Sequence, residues 1–422
     1  MGTASSPPAP RLRLLDIYRA ALAAVNGERC VREALSSVTF DEDVAVVAIG
    51  KAADSMLQGA LAALATQVAD VLCVGKERPG AAADARGRYL QAGHPLPDER
   101  SLAAGAALLD FIHRQPAGRP MLFLLSGGAS ALVEVLPDGV GLDDLQRVNA
   151  WLLASGWPID AMNPLRKSLS CIKGGRLAQR LAGRPVLNLM ISDVPGDAPH
   201  VIGSGLLVAD PAAGPAGFAP PGWIRELQAH APPAPTVDDA CFRHIDTRIV
   251  ANLDRALRAA ADAADGCGVP VILHREFLGG DARATGVVLA RQLCESPPAL
   301  HIWGGETTVS LPSEPGRGGR NQQLALAAAC GLAGRDGHWL LAAGTDGSDG
   351  PTDDAGALVD GGTLARGRND GGTALACAET ALERADAGGF LARSGDLIRT
   401  GPTGTNVMDL VLALRLPADK NH

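Results

Sequence analysis

The chain has 422 residues, 46% of them hydrophobic but only 3% aromatic, and a formal net charge of −8. That length exceeds one ordinary core and predicts two domains, while abundant alanine and glycine with few aromatics favour close helix-on-sheet packing of the α/β class over an aromatic-rich sandwich. The acidic balance, without a basic run or RNA-type aromatic motif, argues against nucleic acid as a partner, so any anionic ligand must meet locally placed cations.

The opening MGTASSPPAPRLRLL has no signal-peptide h-region and reads as a Ser/Pro tail, its loose fit to a myristoylation pattern at Gly2 and Ser6 being a chance match. From Arg11 to about Val25 apolar residues recur at helical spacing. Strand-type runs follow at Val44–Ile49, Ala69–Val74, Met121–Leu125 and Pro185–Ile191, separated by helical stretches at Ala52–Ala65, Asp98–His113 and Leu142–Ala154. This is the rhythm of a parallel sheet. A first domain is expected over residues 11–240, edged by the proline-rich stretch from Pro211 to Thr236.

A second domain, residues 241–416, repeats the alternation. It reads as strand Arg248–Ala251, helix Asp254–Ala264, strand Val269–His274, helix Asp281–Leu293, strand Leu300–Trp303, helix Gln322–Cys330, strand Trp339–Ala342 and a last strand at Val407–Leu414. No run approaches the ~20 apolar residues of a membrane span. The eight cysteines stand singly, without metal-ligand spacing, and read as small buried residues of a reducing, cytoplasmic compartment.

In open α/β sheets ligands bind beyond the carboxyl ends of strands, where loops present backbone N–H groups. Here Gly50-Lys51-Ala52, Ser126-Gly127-Gly128-Ala129-Ser130, Ser192-Asp193-Val194, Gly304-Gly305-Glu306, the loop ending Gly318-Gly319-Arg320-Asn321, and the acidic loop with Asp346, Asp349, Asp353 and Asp354 all follow strands. Clustered carboxylates among glycines suit a cation or a phosphate ester, with a solvated acidic turn as the plain alternative. Of 38 basic residues only Lys51, Lys76, Lys167, Lys173 and Lys420 are lysine, so these sites are candidates for a compact point charge. The helix start at Gly318-Gly319-Arg320-Asn321 could turn N–H groups and a guanidinium toward one anion.

No GxxxxGK[ST] loop, kinase HRD and DFG pair, strand-linked GxGxxG or HExxH occurs, and GGASAL lacks the last glycine of a nucleophile elbow around Ser130. Anion-cradling loops, a few cations and many loop aspartates remain, an inventory suited to phosphoryl transfer. These residues do not name the acceptor.

VAIGKAADSM, AGHPLPDERS, LLSGGASAL, NPLRKSLSCIKGGRLA, ISDVPGD, GGETTV, GRGGRNQQLAL, GTDGSDGPTDDAG and TGPTGTNVMDL, in that order, resemble the glycerate 2-kinase family, also called type-2 or class II glycerate kinases, whose carboxy-terminal part is the MOFRL domain. The resemblance runs from about Arg11 to Leu414. It implies two α/β domains, a Rossmann-like three-layer amino-terminal domain and a smaller α/β MOFRL domain, with the active site in the interdomain cleft. It implies phosphorylation of the 2-hydroxyl of D-glycerate by ATP with Mg²⁺ or Mn²⁺, giving 2-phosphoglycerate.

By the same resemblance the catalytic residues are Lys51, Asp193 and Arg320. Ser126, Gly127, Gly128, Ala129, Ser130, Lys173 and Asn321 are assigned to nucleotide, Lys51, Arg320 and Lys167 to substrate, and Asp193, Glu306 and Asp346 to metal. ATP and D-glycerate are the expected partners, with neither nucleic acid nor membrane, and a homodimer is admitted. Departures from the family pattern fall at Ala161, Ser168, Ser204-Gly205-Leu206-Leu207, Gln323 and Met408, which flank the motifs without touching Lys51, Asp193 or Arg320. The competing readings are an NAD(P)H-dependent hydroxypyruvate reductase, against which the missing GxGxxG counts, and a non-catalytic sensor of organic acids or nucleotides.

Overall fold

A computed structural model describes residues 9–77, 84–211, 217–368 and 372–417. The Ser/Pro tail before Ala9 and Lys420 lie outside these. The chain divides into two compact units, one spanning Gly27–Ala251, the other combining the residues up to Asn26 with those from Asn252 onward.

The Gly27–Ala251 unit holds β1 (Val44–Ile49), β2 (Val68–Gly75), β3 (Gly87–Gln91), β4 (Met121–Leu125), β5 (Val186–Ile191) and β6 (Ile245–Ala251). Their order is β3-β2-β1-β4-β5-β6, every pair parallel. β1, β4 and β5 are buried along their whole length, which is why they read as unbroken apolar runs. Alternate residues Ala45, Val47 and Ile49 of β1 join Leu108 and Phe111 of the helix Glu99–Arg114 in one core. This is the doubly wound order of Rossmann folds, and its direction reverses between β1 and β4.

The second unit holds β7 (Val271–Leu273), β8 (Ala299–Gly305), β9 (His338–Gly344), β10 (Gly356–Asp360), β11 (Leu397–Ile398) and β12 (Asp409–Arg415), in the order β11-β10-β9-β12-β8-β7. The sheet is mixed and mostly antiparallel, with β7 and β8 its one parallel pair among the described residues, so it is not the parallel sheet the alternation suggested. Its core is alanine-rich around the helix Arg320–Leu332. That helix packs so tightly against the helix Ala282–Glu295 that a Cβ at Gly286 would lie 2.2 Å from the Leu324 carbonyl oxygen.

Three further expectations need correction. β6 was assigned to the second domain, but it pairs with β5 as the edge strand of the first sheet, so the unit ends at Ala251 and not near Ala240. The opening helix, Ala9–Ala24, belongs with the carboxy-terminal unit rather than with a domain 11–240. There the Tyr18 hydroxyl donates to the Gly344 carbonyl at 2.6 Å, and Arg11 bridges Asp360 and Asp396 at 3.1 and 3.0 Å. Amphipathicity reveals that a helix has a buried face, not which sheet buries it. Of the cysteines only Cys30 and Cys73 are buried, the other six being half-buried; all eight are free thiols. No helix of the described residues is long and apolar enough to cross a membrane.

Gly286→Ala should destabilise the protein by about 1–3 kcal/mol through overpacking of this helix pair, read as a lowered urea midpoint.

Candidate active site

The carboxyl ends of the neighbouring strands β1, β4 and β5 carry the loops of interest. Gly50 adopts φ +135°, and a Cβ there would lie 2.1 Å from the Ser126 Oγ, so only glycine lets the two loops approach. Two hydrogen bonds stitch them: the Lys51 N–H donates to the Gly127 carbonyl at 2.9 Å, and the Ala52 N–H to the Ser126 Oγ at 3.0 Å. Gly128, at φ +85°, brings its backbone against the His94 ring and the Lys51 side chain, 3.0 and 3.3 Å from where a Cβ would stand.

Next to these loops is a cavity of about 330 Å³ whose lining includes His94, Gly128, Ser130, Asn149, Arg166 and Asp193. Lys173 and Glu134 lie in its wall as a buried ion pair, and the Ser170 hydroxyl donates to the same carboxylate at 2.6 Å. Ser130 and Ser204 share a hydrogen bond of 2.7 Å across the lining. Arg166 donates through Nε to the Asn149 Oδ1 at 3.0 Å, and burial pulls its guanidinium below its ordinary pKa. Lys167, one residue on, is not among the lining groups. Its ammonium is buried and donates to Asp210 and to the His200 carbonyl.

In the second unit Arg320 opens its helix between two carboxylates. Asp409 takes Nε and Nη2 at 2.6 and 2.9 Å, and Glu306 takes Nη1 at 2.7 Å. Burial works against the charge, but Asp409 and then Glu306 outweigh it and hold the guanidinium above its ordinary pKa. The N–H groups at this helix start, expected to face an external anion, are already taken. Asp349 accepts from Asn321 N–H at 3.0 Å and Gln322 N–H at 2.8 Å, and the Asn321 side chain is buried beside it. Asp349 is itself buried, and that burial pushes its carboxyl up to about 7, with Asp409 adding to the rise and the two N–H donors opposing it. Buried Asp354 is clamped by Arg317 and by Arg399, and Asp346 accepts from the Ser348 N–H and hydroxyl at 3.0 and 3.2 Å.

Residues 13–216 match the family model described as a domain of unknown function, DUF4147, and residues 299–409 match the MOFRL family. The chain is 34% identical over 419 residues to the D-glycerate 2-kinase of Thermotoga maritima, covering 95% of this chain and 97% of that one. The chain belongs to the glycerate 2-kinase family. It is also 38% identical, over 86% of its length and 97% of the relative's, to an Agrobacterium vitis protein carrying a hydroxypyruvate reductase name. The crystal structure of glycerate kinase from Thermotoga maritima superposes with a TM-score of 0.83 at 33% identity, covering 97% of this chain and 100% of that one.

Within the family member's first unit, the cavity brings together Gly128, Ser130, Lys173 and Asp193 of the residues singled out from sequence, with Lys51 beside Gly128. Ser126 and Ala129 are buried as loop and core, and Lys173 is committed to Glu134. Glu134, Arg166 and Asn149 went unnoticed in the sequence, and so did Asp409 in the second unit. Asp409 does sit in the TGTNVMDL motif, at the first position of β12. The departures are structural: Ala161, Leu206 and Leu207 are buried, Ser168 bonds the Leu165 carbonyl and Gln228, and Gln323 donates to the Leu382 carbonyl.

Asp349 gives a pH-dependent expectation. Folded, it keeps its proton up to about pH 7, whereas the unfolded carboxyl loses it near 3.8. The folded state binds more protons in between, so this group's stabilising contribution is complete below about pH 4 and is lost as pH rises toward 7. The stability of wild type relative to Asp349→Asn should therefore fall from pH 4 to pH 7, by at most about 1.4 kcal/mol per pH unit, in paired denaturant titrations.

Proposed function

We propose that this protein transfers the γ-phosphoryl group of ATP to the 2-hydroxyl of D-glycerate, releasing 2-phosphoglycerate and ADP. The observation that carries the reading is a polar cavity at the carboxyl ends of β4 and β5, beside the Lys51 loop, in a chain that matches a D-glycerate 2-kinase over its full length. Its size is at the small end of the ~300–1,000 Å³ usual for ligand cavities, which suits a three-carbon acid.

Phosphoryl transfer asks the protein mainly to position groups and to stabilise charge. We assign Asp193, on the cavity wall, to the acceptor hydroxyl, whose proton it accepts as transfer proceeds, or to the divalent ion. Lys51, at the rim beside Gly128, is assigned to the oxygens of the transferring group, and the backbone of the Ser126–Ser130 loop to nucleotide phosphate. Arg320 is assigned to charge that develops in the transition state; Asp409 and Glu306 occupy three of its five N–H groups and fix its orientation, leaving two to donate.

Mg²⁺ is usually held by one or two carboxylates plus the substrate's phosphates, which Asp193 can satisfy. Glu306 and Asp346 fit less well as direct ligands, since Arg320 and Ser348 already engage them. When bound, the ion would neutralise phosphate charge.

A nicotinamide reductase is the second reading, favoured by the Rossmann strand order and by the names of two relatives. Against it, the β1 turn runs Gly50-Lys51-Ala52-Ala53, with Ala52 and Ala53 buried where a dinucleotide fold needs glycines for pyrophosphate.

With ATP, Mg²⁺ and D-glycerate, ADP should be released and ³¹P NMR should show phosphate on the 2-hydroxyl. Consumption of NADH with hydroxypyruvate and no phosphate transfer would establish the reductase instead. Lys51→Ala and Asp193→Asn should each lower turnover by about 10²- to 10⁴-fold. Activity within a few-fold of wild type would remove that residue from the mechanism.

A further inference from the structure

Arg166 is a cation of the cavity wall whose fork is not consumed by the protein. Its Nε is fixed by the Asn149 Oδ1 at 3.0 Å, which orients the guanidinium plane. Among the described residues neither terminal nitrogen has a hydrogen-bond partner, and no carboxylate lies within ion-pair distance. The group is half-buried and burial lowers its pKa, yet within the protein it has only the Asn149 hydrogen bond to answer it, so its terminal N–H groups are left to solvent or to a ligand. The neighbouring basic residues differ. Lys167 pairs with Asp210, Lys173 with Glu134, and Arg176 donates to the carbonyls of Pro232, Lys167 and Lys173.

The lining's other charges sharpen the contrast. Lys173 and Glu134 cancel, and the lining's other carboxylate, Asp193, forms no ion pair with Arg166, which is thus a lining cation without a paired carboxylate. Asn149 and Asn163 stand beside it in the same lining, neutral amides able to donate or accept. A planar guanidinium flanked by amides matches one planar carboxylate, bonded through two parallel N–H donors. A triphosphate would ask for more cations than this wall supplies. Arg166 is also held firmly. It follows buried Leu165 on the helix Ile159–Ser168, and Leu165 and Leu169, the residue after the helix, pack with Val148 and Leu152 and with Trp151, Trp157 and Trp223 into a small core of their own.

We propose that Arg166 recognises the carboxylate of the acceptor acid, so that the enzyme selects a hydroxy acid over a neutral polyol. The proposal deepens the kinase reading and rests on it for the acceptor's identity. Arg166 touches the end of the acceptor that does not react, so its effect falls on acceptor binding and on acceptor choice.

The test compares wild type, Arg166→Met and Arg166→Lys, with thermal midpoints confirming that each is folded. In the kinase assay Arg166→Met should raise the KM for D-glycerate about 10- to 100-fold while the KM for ATP stays within about threefold. The preference for D-glycerate over glycerol should fall by the same factor. Arg166→Lys should recover part of both, since it restores the charge but not the fork, and it serves alone if the methionine variant does not fold. A KM for D-glycerate within threefold of wild type, or a rise confined to ATP, would overturn the proposal. Calorimetric titration of D-glycerate into the same proteins needs no turnover. A wild type that binds the acid through Arg166 yet transfers no phosphate would overturn the kinase reading and uphold this one. Equal binding by wild type and both variants would overturn this one whatever the turnover.

Discussion

Where β1 ends, the backbone of Gly50 runs so close to the loop after β4 that a Cβ would stand 2.1 Å from the Ser126 hydroxyl. That approach closes the reversal point of the sheet, and the rest of the first unit's site is arranged around it. The Lys51 and Ala52 amides are committed to the neighbouring loop, so the Lys51 side chain issues from a fixed point next to Gly128. The following short helix, Ala129–Leu132, carries Ser130 into the cavity while burying Ala129 and Leu132. The two loops thus form a packed joint, in which Gly50 is required because a Cβ would strike Ser126 and Gly128 because its backbone is left-handed at φ +85°.

Charge follows the same logic of commitment. Two of the lysines that stand out by their rarity are structural: Lys167 answers Asp210, and Lys173 answers Glu134 inside the wall. Buried ammonium groups persist only with a carboxylate and further hydrogen bonds, which Ser170 supplies for Glu134. The same accounting in the second unit pins Arg320 by Asp409 and Glu306 and fills the helix start with Asp349. The protein has thus supplied its own acceptor to these N–H groups, and the ligand need not.

Much of the fold was legible in the sequence, for a physical reason. β1 and β4 read correctly to the residue because strands buried on both faces must be continuous apolar runs, and Asp98 and Asp281 mark helix starts because their side chains cap N–H groups. β3 was missed because it is a half-exposed edge strand, and β10 because it begins inside the acidic loop's glycines. The placement of β6 and of the opening helix depends on which sheet accepts them, which is a matter of long-range packing. The candidate site was legible wherever its groups lie in glycine-rich loops. Glu134, Arg166 and Asp409 lie outside them, and their roles come from partners far along the chain, such as Lys173 for Glu134 and Arg320 for Asp409.

Residue type alone therefore separates structural from functional charge poorly in this chain, whereas partner accounting separates it well. Lysine rarity drew attention to Lys167 and Lys173 as well as to Lys51, the strongest candidate, yet those two spend their charge on the fold. Arginine abundance hid Arg166, because a chain that uses arginine for generic charge gives no compositional reason to single one out. What distinguishes Arg166 is a mismatch between its burial and its bonding. The fold desolvates this guanidinium, orients it with Asn149 and offers it no counter-ion. An anion that binds there meets a cation already oriented, so the proposed recognition of the acid spends less on ordering the group that makes it.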